Sequence, residues 1–331
     1  MAYDKALISS ILRQLEQQHD RYEAEAESRR YQLSADIPRL AEIDRELRGT
    51  AAKAMRIAFE SNNTDAAIEQ LKQRNLALQA EKLKLLLDNG YPADYLTVTV
   101  SCPICRDTGY DGSRLCACVK RRAAEIQKQD LSTLLPVDKE TFSTFRLDYY
   151  SSQPDSRFGL SPRQMAQANL QRCRSFAEHF GSSYENLLLY GSAGLGKTFL
   201  SSCIARTVTE RGFSVTYDTA ISIFDQYNAV KFRTGDPAAA AHAVERFRSA
   251  DLLIIDDLGT ELNNSFTSSQ LYHCIDTRLT NHRSTIISTN LSFDDLRERY
   301  SERIFSRITS NYTLLKITGD DIRLKKAIMQ H

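Results

Sequence analysis

The sequence predicts an α/β protein: a parallel sheet flanked by helices, preceded by an α-helical hairpin or coiled coil and a small cysteine knuckle. Three observations carry this. From about Arg163 onward, helical stretches alternate with short strand-like runs, as in sheets whose strands are joined by crossover helices. Residues 4–88 are dense in Glu, Lys, Arg, Gln, Leu and Ala, which are good helix formers. Four of the seven cysteines fall between Cys102 and Cys118. A chain of 331 residues is long enough for two domains.

The composition excludes several classes. With 43 basic and 42 acidic side chains the formal net charge is +1, so any nucleic-acid contact must be local rather than driven by a global field. No apolar run approaches the roughly 20 residues that cross a bilayer, which argues against a membrane protein. Met1-Ala-Tyr-Asp-Lys5 lacks the basic-then-apolar layout of a secretory signal. Clustered cysteines, odd in number, suit a reducing compartment with a metal site better than a disulfide scaffold. The expected location is the cytoplasm.

Residues 1–95 form the first predicted region. Leu40, Ile43 and Leu47 fall at helical spacing, with Asp36 as candidate N-cap and Pro38 in the first turn. Leu71, Leu78 and Leu85 recur every seven residues, yet Asn75 and Lys82 interrupt the companion seam. A short antiparallel arrangement fits better than a long rod. Thr64 is placed to cap the later helix, and Asn89-Gly90-Tyr91-Pro92 supplies its end. The segment reads either as a solvated spacer or as a docking arm for another protein.

The second region spans 96–130. Cys102-Pro-Ile-Cys105 and Cys116-Ala-Cys118 are joined by a loop containing Gly109 and Gly112. Two thiolate pairs on so small a loop can wrap one tetrahedral ion, and four sulfur ligands favour Zn²⁺. Lys120-Arg121-Arg122 then opens a short helix to about Gln129. Cys173, Cys203 and Cys274 sit singly in helical contexts and read as core. Residues 131–165, with Pro136, Pro154 and Pro162, read as a connector to a domain at 166–331.

Gly191-Ser192-Ala193-Gly194-Leu195-Gly196-Lys197-Thr198 matches the P-loop pattern in full. It follows the apolar run Leu187–Tyr190 and precedes a helical stretch starting at Phe199. Glycines let backbone N–H groups curl round phosphates, and the helix presents its positive end. Lys197 is placed for the β- and γ-phosphates of ATP, and the Thr198 hydroxyl for Mg²⁺. Leu252–Ile255 is a buried-strand run ending in Asp256-Asp257. Asp256 is the expected second Mg²⁺ carboxylate and Asp257 the group that orients the attacking water, with Glu261 competing for that role. Ser284–Asn290 is a β-branched strand ending in an amide that can reach water or the γ-phosphate. Arg303 and Arg307 lie four apart on one helical face, and Arg323 follows in Gly319-Asp-Asp-Ile-Arg323.

This constellation resembles the AAA+ ATPases of the DnaC/DnaI helicase-loader and IstB-like group, over about residues 140–326. Asn89–Tyr95 and Cys102–Tyr110 resemble the front portion of a subset of these loaders. The resemblance implies that Asn290 is sensor 1, that Arg303 or Arg307 is an arginine finger reaching a neighbouring subunit's ATP, and that Arg323 is sensor 2. It implies self-association through the AAA+ domain, contact with single-stranded DNA, and docking of the N-terminal region on a replicative hexameric helicase. The expected activity is ATP hydrolysis coupled to helicase loading. The alternatives are a transposition helper of the IstB kind and an adaptor that senses ATP without hydrolysing it. Many AAA+ proteins carry Glu where this chain has Asp257, which predicts weak hydrolysis. The chain ends eight residues after Arg323, so the usual C-terminal lid is expected to be nearly absent. Lys120–Arg122, Lys231 and Arg233 are the basic residues available to DNA phosphate, against a plain reading as solvated faces.

Overall fold

The computed structural model describes residues 5–60, 64–154 and 159–329. The expectation for Met1–Asp4, and that for the Thr64 side chain as a cap, lie outside them. The chain divides into two units, one comprising residues 12–116 and the other the first residues together with 117–331.

The smaller unit is built from α1 (Lys5–Asp36) from residue 12 onward, α2 (Pro38–Arg48), α3 (Thr50–Glu60) and α4 (Thr64–Asp88), then a two-stranded hairpin of β1 (Tyr110–Asp111) and β2 (Arg114–Leu115). Leu33, Leu40, Leu86 and Leu96 form its apolar centre, with Tyr91 and Tyr95 packed on it. Around that centre α2 is tied to α4 by ion pairs: Arg39 grips Glu81 at 2.7 Å and Lys82 reaches Asp44 at 2.5 Å. These positions explain the broken heptad, because Lys82 faces a carboxylate instead of an apolar seam. The cap of α2 differs from expectation. Asp36 closes α1, and the N-cap is Ile37, which makes no side-chain cap bond, with Pro38 in the first turn. Gly90, at φ +79°, ends α4 as expected, with the Tyr91 N–H donating to the Leu86 carbonyl at 2.9 Å.

The larger unit holds α5 (Ala117–Leu134), α6 (Pro162–Glu178), β3 (Leu187–Tyr190), α7 (Lys197–Glu210), β4 (Val215–Thr219), α8 (Ala220–Phe232), α9 (Pro237–Ser249), β5 (Leu252–Leu258), α10 (Ser265–Thr280), β6 (Ser284–Thr289), α11 (Phe293–Arg299), α12 (Glu302–Asn311), β7 (Thr313–Lys316) and α13 (Ile322–Met329). Its five strands are all parallel, in the order β4-β5-β6-β3-β7. Strand residues alternate between two apolar layers. Leu187, Leu189, Leu252, Ile254 and Ile286 pack with α5, α6 and α7, whereas Leu188, Leu253, Ile255 and Ile287 pack with α8 to α12. Burial on both faces is why these strands read as continuous apolar runs. Cys173, Cys203 and Cys274 are buried core, as expected. The helix after the knuckle is longer than the sequence suggested, running from Ala117 to Leu134. Pro162 closes the connector as the first residue of α6, behind a Ser161–Gln164 capping box.

Because β3 lies inside the sheet between β6 and β7 and its crossover leads to the far edge strand β4, the carboxyl ends of β3, β5 and β6 open on one crevice. That is where an open α/β sheet binds ligands.

Candidate functional site: a nucleotide cleft and a four-cysteine cluster

The crevice is built from three strand ends. After Tyr190 the chain turns through Gly191–Gly196 into α7, which begins at Lys197, two residues earlier than expected. Gly191 has φ +145°, and a Cβ there would lie 2.1 Å from the Ile317 carbonyl oxygen. Gly194, at φ +74°, would place a Cβ 2.0 Å from Asp321 Oδ1. Only glycine permits the loop to curl this tightly against β7's exit.

Lys197 is buried, and its ammonium donates to the carbonyls of Gly191 and Ser192 at 2.7 Å each and to Asn290 Oδ1 at 2.6 Å. Burial pushes its pKa down and Arg323 adds to this, while Asp257 and Asp256 oppose it. The Thr198 hydroxyl donates to Asp256 Oδ2 at 3.0 Å. Asp256 Oδ2 also accepts from Tyr217 Oη at 2.8 Å, and its Oδ1 accepts from the Ser288 hydroxyl. The P-loop and the acidic strand end are therefore in direct contact.

Asp257 reaches the crevice through a backbone irregularity. The pairing of β5 with β6 shifts register between Ile255 and Leu258, and Asp257 sits in that shift at φ +52°. A bulge of this kind re-aims one side chain out of the strand's alternation. Its N–H donates to Ser288 Oγ at 3.0 Å, and Asn290 Nδ2 donates to its Oδ1 at 3.3 Å. Burial, and then the neighbouring Asp256 charge, push the Asp257 pKa up, against Lys197.

These groups border a cavity of about 370 Å³ lined by Ala193–Phe199, Asp257, Asn290, Ile322 and Arg323. Its other wall comes from the connector: Pro136, Glu140, Phe145, Arg146, Tyr149 and Tyr150. Tyr150 Oη donates to the Leu195 carbonyl at 2.7 Å, and Phe145 stacks on Tyr150 with ring centroids 5.7 Å apart. A flat apolar wall beside a phosphate loop is suited to a nucleobase. No motif singles these residues out; the aromatic density of Phe142, Phe145, Tyr149 and Tyr150 is the signal the sequence carries for them.

Not every candidate converges. Glu261 is a correction: it is buried away from the cavity, accepting from the Gly259 N–H at 2.8 Å and from Tyr300 Oη, with Arg299 Nε 3.7 Å away. Its carboxylate holds the loop after β5 and does not face the crevice, because the turn at Gly259 carries it back toward α11. Arg303 and Arg307 lie on exposed positions of α12 outside the cavity, and Arg307 pairs with Asp276 at 2.8 Å.

Cys102, Cys105, Cys116 and Cys118 bring their four sulfur atoms within 4.8 Å of one another, all buried. Tetrahedral thiolates on Zn²⁺ are separated by about 3.8 Å, given Zn–S bonds near 2.3 Å. Cys102 and Cys116 already lie 3.8 Å apart. Asp107 fixes the turn by accepting from the Ser101 and Cys102 N–H groups at 2.8 and 2.9 Å. The donor set and its spacing fit zinc. No helix among the described residues is long and apolar enough to cross a membrane.

Comparison with known proteins agrees with the nucleotide cleft. Curated relatives include the chromosomal replication initiator protein DnaA of Rickettsia massiliae (strain Mtu5), 32% identical over 152 residues, covering 45% of this chain and 31% of that protein. The uncharacterized protein YdaV of Escherichia coli (strain K12) is 24% identical over 142 residues, covering 43% of this chain and 56% of that one. The chain thus spans about a third of the DnaA relatives it matches and about half of YdaV. Among solved structures, a DnaC helicase loader superposes with a TM-score of 0.45 at 21% identity, covering 55% of this chain and 99% of that one. The family of IstB-like ATP binding proteins matches residues 156–329, which is more than half of the sequence and contains all three strand ends of the cleft. With a phosphate-loop turn leading out of a five-stranded parallel sheet and that match, the chain belongs to the IstB-like ATP binding protein family.

Proposed function

We propose that this protein is an ATP-dependent loader of a replicative hexameric DNA helicase. The observation that carries the ATPase part is the convergence of Lys197, Thr198, Asp257, Asn290 and Arg323 on one cavity, with Asp256 bonded to Thr198 at its margin. In this reading the aromatic wall at Phe145 and Tyr150 takes the base, and the Gly191–Gly196 backbone cradles the phosphates. Lys197 then exchanges its carbonyl partners for the β- and γ-phosphates. Bound magnesium supplies charge neutralisation on the transferring phosphoryl, with Thr198 and Asp256 as its protein ligands. Asp257 and Asn290 orient the attacking water, and Arg323 contacts the γ-phosphate from α13. Arg303 or Arg307 completes the site of a second copy as an arginine finger, which makes hydrolysis depend on self-association.

Residues 1–95 dock on the helicase and the cysteine cluster at 96–130 holds Zn²⁺ beside a basic helix. Residues 131–165 connect to the ATPase domain at 166–331 while closing its nucleotide site. Single-stranded DNA is taken at the end of α8. There Phe232 is 63% exposed, and the Lys231 ammonium lies 5.1 Å from its ring centroid and 3.8 Å from that of Phe266. Stacking rings interleaved with cations suit unpaired bases.

A second reading, a transposition helper with the same ATPase core, fits the family match equally. Two measurements decide. Lys197→Ala should lower nucleotide affinity by at least about tenfold and abolish nucleotide-dependent assembly, since the cradle loses its charge. Wild-type affinity in that variant would refute the site. In pull-downs, helicase should be retained by the full chain and lost on deletion of residues 1–125, whereas retention of a transposase instead selects the second reading.

A further inference from the structure

We infer that Tyr217 is a positioning residue for the metal-binding carboxylate, holding Asp256 in the orientation that receives Mg²⁺. The inference deepens the ATPase reading above and rests on it. Tyr217 lies on β4, the edge strand, with its ring in the apolar layer under α5 and α7. Its hydroxyl crosses to the neighbouring strand and donates to Asp256 Oδ2 at 2.8 Å.

Asp256 is 3% exposed, so solvent supplies little of what fixes its carboxylate plane. Three hydroxyls do so instead, from three elements: Tyr217 on β4, Thr198 on α7 and Ser288 on β6. They are not equivalent. Thr198 belongs to the P-loop and is itself the expected second metal ligand, so its oxygen has a competing duty. Ser288 serves two residues of β5, because it also accepts from the Asp257 N–H at 3.0 Å. Among the described residues the Tyr217 hydroxyl meets Asp256 alone, and it has no metal to serve. Its rigid ring is anchored by the parallel pairing of Tyr217 with Ile254, two residues before the acid. A donor of this kind restricts carboxylate rotation without entering the coordination sphere, as outer partners of metal ligands do.

The test separates metal affinity from nucleotide affinity. Binding of a fluorescent ATP analogue to the full chain is followed against Mg²⁺ concentration, and again in excess EDTA. Tyr217→Phe removes one oxygen from a site that keeps its shape. The Mg²⁺ half-saturation should rise about tenfold, the lower end of what loss of an outer-sphere partner costs. Affinity in EDTA should stay within about twofold, because the phosphate cradle is untouched. Tyr227→Phe, another buried tyrosine whose hydroxyl does not meet Asp256, is the control and should leave the Mg²⁺ dependence at the wild-type value. Equal Mg²⁺ dependence in Tyr217→Phe and wild type overturns the inference alone. So does an equal loss of affinity with and without Mg²⁺, which marks a packing effect. A wild-type protein whose nucleotide binding ignores Mg²⁺ overturns both the inference and the ATPase reading.

Discussion

Replacing Gly191 with alanine would put a methyl carbon 2.1 Å from the Ile317 carbonyl oxygen, at a backbone φ of +145°. The obstacle is main chain, at the exit of a strand paired to β3, so no rotamer change relieves it. Gly191→Ala is expected to cost about 2–3 kcal/mol of stability. It should also weaken ATP binding, because relief requires opening the loop. A melting temperature and nucleotide affinity matching wild type would show that the loop adapts freely. This constraint was legible in the sequence, since a phosphate-cradling turn demands glycine at fixed positions. Lys197, Thr198, Asp256 and Asn290 were legible for the same reason, each being tied to a strand end. The placement of Asp257 was half legible. Its identity could be read, but the bulge that aims it arises from the β5–β6 register, which belongs to two strands together. Glu261 misled because sequence distance from Asp257 says nothing about the turn at Gly259, which sends its carboxylate to Tyr300.

Among the elements, α10 carries the least expected part of the framework. Arg278 is fully buried and donates to the carbonyls of Phe247 and Ala250 at 2.9 Å each, to the Ser284 carbonyl at 2.5 Å, and to Thr285 Oγ1 at 2.9 Å. It thereby closes the C-terminal end of α9 and aligns the starts of β5 and β6, at the end of the sheet opposite the cleft. Burial pulls its pKa down to about 10, yet the ring of acceptors keeps the planar guanidinium in place. Arg278→Ala is expected to cost about 3–5 kcal/mol, by orphaning several buried carbonyls at once. Arg278→Lys recovers only part of this, because an ammonium has three donors and no planar fork. Urea denaturation orders the three proteins, and a lysine variant as stable as wild type would refute the geometric requirement. A lone Arg in a helical pattern reads as a solvated residue, so nothing in the sequence flagged it. The connector's part in the site is hidden for a related reason. Its prolines signal irregular backbone correctly, but only packing shows that Tyr150 leaves that backbone to hold Leu195 in the P-loop.

At the scale of the whole molecule, the chemistry splits between the sheet-based unit and the four-cysteine cluster. The large unit buries two apolar layers, so its stability needs no metal. The segment around the cysteines has only two two-residue strands, and its turn depends on Asp107 and on the sulfur atoms. In so small a knuckle, metal binding is folding free energy, and removing the ion releases the local fold. Protein purified under reducing conditions should therefore carry one zinc per four-cysteine cluster, measured by elemental analysis. Stripping it with a strong chelator should accelerate hydrogen exchange across residues 102–118. ATP affinity should stay within about twofold, since none of the cleft's groups draws on the cluster. Cys105→Ser should reproduce the chelated protein in both respects. Slow exchange at the cluster without metal would mean that the thiols pack as core, and an equal loss of ATP affinity would mean that the two sites share one folding unit.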